Sequence, residues 1–116
     1  MGYRSDLALA LNKEASLKLR DAICLEENDA VEALFLLADK KLTSTDGARL
    51  YFWEGIKMYP SFAEFAWLGH FLRSLNGDSY FLTRIGEDYT DVETEGSYID
   101  NHFELRIDRN LSFVEA

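Results

Sequence analysis

Cysteine, proline and positive charge are scarce in this chain of 116 residues, and each shortage excludes something. One cysteine, Cys24, rules out an intramolecular disulfide framework. Flanked by Ala22, Ile23 and Leu25, it reads as a small buried thiol on a helix. A catalytic cysteine needs a base and an electropositive setting, and these neighbours supply neither. The two histidines, His70 and His102, lie far apart, and no H-x-x-x-H, C-x-x-C or G-x-S-x-G pattern occurs. The seven glycines are scattered, with no G-x-G-x-x-G or G-x-x-x-x-G-K-[ST] phosphate loop. The opening MGYRSDLALALNKE holds only five consecutive apolar residues, too few for a signal peptide or a membrane span. Asp6 stands where a myristoylation signal wants Ser or Thr. The expected location is the cytoplasm.

What the chain does have is apolar residues at 47%, sixteen of its side chains being aromatic, and an excess of acid. A length of 116 residues fits one domain, 1–116, that buries roughly two-thirds of the surface its unfolded form exposes. The net charge of −9 is uneven: residues 1–77 carry eleven acids and nine bases, residues 78–116 ten acids and three bases. Nucleic acid and anionic membranes need a basic footprint, so neither is an expected direct partner. A basic protein suits the charge, and so does mere solubility.

Periodicity gives the elements. Residues 4–11 alternate, with Leu7, Leu9 and Leu11 on one face and Ala8 and Ala10 on the other, as a strand covered on both sides. Asn12 caps a helix over 13–26 with Ala15, Leu19, Ala22 and Ile23 inward. Asn28 caps a second over 29–41, with Val31, Leu34, Phe35 and Ala38 inward and Lys40 and Lys41 at its negative end. STDG, residues 44–47, is a turn, and ARLYFWEGIKMY a long strand bent at Gly55. Ser61 with Glu64 forms a capping box for a third helix, which Asn76-Gly77 ends near residue 75. SYFLTRIG and DVETEG read as strands, and HFELRIDRNLSFV as one or two more. The order β-α-α-β-α-β-β predicts an α+β fold: a mainly antiparallel sheet of four to five strands with about three helices on one face.

Two features stand out as candidate sites. In RIGEDYTDVETEG, residues 84–96, Glu87, Asp88, Asp91, Glu93 and Glu95 crowd five carboxylates into nine positions. If the segment is extended, Asp91, Glu93 and Glu95 point one way, about 6.8 Å apart at ~3.4 Å per residue, which matches every second phosphate of a DNA strand. The row has three readings: a charged edge strand that resists association, a docking surface for a basic protein, or a divalent-cation site using Asp88, Asp91 and Asp100. The last departs from the calcium-loop pattern D-x-[DN]-x-[DN]-G. Carboxylates on a turn-flanked charged segment are poorly placed for the desolvation an acid–base pair needs, so no catalysis, no metal and no cofactor is expected. On the third helix a 100° wheel puts Phe62, Phe65, Leu68, Gly69, Phe71, Leu72 and Leu75 inward, with Ala63, Trp67, His70 and Ser74 opposite. Trp67 there is either an interface residue, with His70 beside it, or a side chain packed under a loop or terminal strand.

The opening GYRSDLALAL, the middle YFWEGIKMYPSFAEF and the block RIGEDYTDVETEG resemble a group of small acidic proteins of phages and prophages that begin Met-Gly-Tyr-Arg-Ser-Asp and carry R-I-G-E-D downstream. The resemblance implies a mobile-element origin and supplies no catalytic residues. By analogy it favours a non-enzymatic protein that binds a host or phage protein, with an anti-defence inhibitor mimicking nucleic-acid charge as the sharper form. The rival is a structural, self-assembling homodimer joined through Tyr51 and Trp53, or through Trp67, with the acids serving solubility alone.

Overall fold

A computed structural model describes residues 4–26, 29–57, 62–88 and 90–98, together with the backbone of 106–107 and 111–112. Strand β1 (Ser5–Leu11) leads into helix α1 (Lys13–Glu26), and the Asn12 side chain accepts the Ala15 backbone N–H at 2.9 Å, as its capping role predicts. Helix α2 (Asp29–Leu36) follows, then β2 (Lys40–Thr43) and β3 (Arg49–Ile56). Helix α3 (Ala63–Arg73) and a 3₁₀ turn (Gly77–Ser79) precede β4 (Tyr80–Gly86) and β5 (Val92–Gly96). Two short strands, β6 (Arg106–Ile107) and β7 (Leu111–Ser112), pair with each other, while the rest of 102–114 lies outside the described residues.

The five main strands form one antiparallel sheet in the order β2-β3-β1-β4-β5, which is the α+β class that the sequence predicts. Central β1 shows why: Leu7, Leu9 and Leu11, and also Ala8 and Ala10, are wholly buried. The leucines join Ala15, Leu19, Val31, Phe35, Leu68 and Leu72 in the core between sheet and helices. The alanines join Ala48 and Leu50 in a second cluster on the opposite face. Short side chains on that face let Phe52 and Phe81, opposite them on the flanking strands, close over β1. Among the described residues no helix is long and apolar enough to cross a membrane.

Four expectations need correction. The second helix stops at Leu36 instead of 41, and Lys40 and Lys41 belong to a strand. The cause is the turn after it: the Ala48 N–H reaches both Ser44 Oγ and Asp46 Oδ1 at 3.2 Å, and Gly47 has φ +90°, so residues 40–43 fold back on Phe52 to Arg49 as a hairpin. Lys41 still serves the helix end, since its Nζ donates to the Leu36 carbonyl at 3.3 Å. Helix α3 has Phe62 at its cap position with no side-chain capping bond, one residue after the predicted start; Ser61 and Asn28 lie outside the described residues. Cys24 is exposed, because α1 turns it away from the sheet. Tyr51 and Trp53 are 9% and 1% exposed, so both rings belong to the core and neither projects from the surface as the expected dimer contact would. The predicted bend at Gly55 is a β-bulge: the β1–β3 register shifts there, Gly55 has φ +62°, and its N–H donates to Asp6 Oδ1.

Candidate functional site

The acidic segment forms the loop after β4 and strand β5, which ends the sheet among the described residues. Antiparallel pairing sets Glu93 opposite Arg84 and Glu95 opposite Leu82, while Leu7 and Leu9 flank those two from β1. Glu93 and Glu95 therefore share the sheet face that carries the helices. With Val92 and Thr94 they border a hollow of about 380 Å³ over Leu82 and Arg84.

Arg84 organises the site. Its side chain is 11% exposed, and Nη2 donates to Asp91 Oδ1 and to Glu93 Oε1, both at 2.7 Å. Nη1 reaches Asp91 Oδ2 at 3.2 Å and the buried Ser5 hydroxyl at 3.1 Å. The hydrogen bond to Asp91, with Glu93 behind it, raises the guanidinium pKa against the opposing effect of burial. This corrects the expectation of an evenly spaced bare row. Two carboxylates bound to one nitrogen at 2.7 Å lie within twice that distance of each other, so Asp91 and Glu93 converge.

The other three carboxylates are also placed by the chain. Glu87 Oε1 accepts the Arg4 backbone N–H at 2.9 Å. Asp88 accepts from Thr90 N–H at 3.0 Å and Thr90 Oγ1 at 2.8 Å, an Asx-type turn that holds its carboxyl below the usual range. The loop is closed by Asp91 N–H to the Asp88 carbonyl and Gly86 N–H to the Asp91 carbonyl. Glu95 sits against the Tyr80 hydroxyl, whose pKa is raised by burial first and then by the charge and hydrogen bond of Glu95. Fixed does not mean neutralised: five carboxylates and the single Arg84 leave residues 84–98 at −4. Glu87 and Asp88 are exposed, and the Glu93 side chain is 71% exposed.

Trp67 and His70 lie apart from this arrangement. Trp67 is half-buried, stacks on Phe71 with centroids 5.5 Å apart and planes 2° from parallel, and packs against the core rim. The wheel had set these two rings on opposite sides; their mutual stacking straddles the boundary. His70 is exposed. Helix α3 brings Arg73 close to Tyr80 and so to the Glu95 corner, where its charge opposes the rise in the Tyr80 pKa. Asp100, the third member of the cation reading, lies outside the described residues, and no group of three metal-ligating side chains occurs among those described.

Sequence reasoning missed Arg84 as the centre of the site, although a hairpin signal was present. A strand ending at Gly86 and a return that starts opposite it at Asp91 put residue 84 opposite residue 93. No protein-family model matches the chain, and no curated protein or solved structure matches it.

Proposed function

We propose that the protein is a non-enzymatic accessory protein of phage or prophage type that binds a basic host or phage protein in the cytoplasm through its acidic edge. One observation carries the reading: a strand at the edge of the described sheet and its loop bear a net −4, with the carboxylates already held in place. Side chains fixed before binding lose little entropy when a lysine or arginine arrives. The partner's cations meet Glu87, Asp88, Glu93 and Glu95 first, and Asp91 acts through Arg84 as support. The sharper reading, an anti-defence inhibitor occupying a nucleic-acid groove, then rests on clustered charge instead of phosphate-like spacing.

The test uses the whole protein as bait in host extract, with a fluorescent oligolysine as a defined probe. Glu93→Gln with Glu95→Gln keeps the shapes and removes two charges. It should weaken probe and captured protein about three- to thirtyfold at low salt, and the difference should vanish at about 0.5 M salt, where the Debye length is only a few ångströms. Equal capture by parent and variant at low salt overturns the reading.

A further inference from the structure

A second surface lies between α2 and α3. Ala30, Ala33 and Leu34 on α2 and Leu37 in the turn just after it recur at helical spacing, and the two alanines leave a hollow of about 310 Å³ against α3. Its floor is Trp53, whose indole N–H is satisfied by the Leu34 carbonyl at 2.7 Å, and Phe65, stacked on Phe62 at 6.5 Å. Its lip is apolar and raised: Leu37 is 75% exposed and Phe62 38%. Two of the six large apolar side chains exposed among the described residues, Leu37 and Phe62, thus line this one hollow, as an interaction surface would have them. The charges that line it are one Lys57 and one Glu64.

We propose that this groove is the interface of a homodimer, two copies meeting about a two-fold axis. A two-fold interface must be self-complementary, and this patch carries both the projecting side chain and the cavity that receives one. Its charges match the same operator: Lys57 of one copy meets Glu64 of the other, and the reverse. A molecule with net charge −9 repels its own copy almost everywhere, and a neutral apolar patch is where that repulsion is least. The inference does not rest on the acidic-edge reading.

Sedimentation equilibrium of the full chain tests it. The parent should be dimeric at about 50 µM, as a Kd in the low micromolar range requires. Leu37→Glu should give a monomer with unchanged circular dichroism. Lys57→Glu should raise Kd about tenfold or more, and Lys57→Glu with Glu64→Lys should restore it to within about threefold of the parent. Leu25→Glu, a change at an 84% exposed leucine outside the groove, should leave the dimer intact. A monomeric parent at this concentration overturns the proposal. So does a dimer indifferent to Leu37→Glu, one lost equally with Leu25→Glu, or a double variant as weak as the single.

Discussion

Two buried polar side chains on β4 show opposite treatments of the same problem. The Arg84 guanidinium donates to three acceptors, Ser5, Asp91 and Glu93. Removing it strands two converging carboxylates. Arg84→Met should therefore destabilise the fold by about 1–3 kcal/mol, less than for a fully buried pair because Glu93 still sees water. The loss should shrink as pH falls from 7 towards 4, since protonation relieves the repulsion that the variant creates. Urea midpoints across that range measure both effects, and a deficit independent of pH would show that lost packing dominates. Thr83 is the contrary case. It is wholly buried beside Ala8 on the other face, and its hydroxyl has no hydrogen-bond partner among the described residues. An unmade hydrogen bond costs about 1–3 kcal/mol, and valine has the same shape without the hydroxyl. Thr83→Val should leave the structure unchanged and raise stability by about 1 kcal/mol, read as a higher melting temperature.

At the level of elements, the strands depend on glycines in two different ways. Gly55 and Gly96 both have positive φ, +62° and +88°. A Cβ at Gly55 meets nothing within 4 Å, whereas one at Gly96 falls 2.2 Å from the Tyr80 carbonyl oxygen, the group that accepts the Tyr98 N–H. Gly55→Ala should cost about 1 kcal/mol of backbone strain, while Gly96→Ala should cost more and detach the end of β5. Amide exchange separates them: Gly96→Ala speeds exchange across the β4–β5 pairing, and Gly55→Ala leaves it unaltered. The same elements show what was legible in the sequence. Strand β1, α1 with its Asn12 cap, β4 and β5 follow from alternation, a capping residue and turn chemistry, all local signals. Strand β2 was not legible, because KKLT pairs with β3 only once the Ser44–Asp46 turn closes, and lysines after a helix read equally well as its last turn. Trp67 resisted reading for a related reason: a wheel assigns one side per residue, and a large ring stacked on Phe71 occupies the border between two. In the site the five carboxylates were plain, but their shared guanidinium follows only from the hairpin register.

For the whole molecule, charge acts on folding and on binding with opposite signs. A formal −9, with −7 of it in residues 78–116, strains the folded chain through self-repulsion, and Arg84 relieves that only locally. Raising salt from about 20 to 300 mM shortens the Debye length from ~20 Å to under ~6 Å and screens this repulsion. The parent should therefore gain stability with salt, as a higher urea midpoint, while binding of oligolysine to its acidic edge weakens over the same range. Sodium sulfate would confound the first measurement through surface exclusion, so sodium chloride is the proper salt. Glu93→Gln with Glu95→Gln should flatten both salt dependences together, because one set of charges produces both. If the double variant flattens the stability curve and leaves probe binding as salt-sensitive as before, those carboxylates matter to the fold alone and the partner meets another part of the acidic surface.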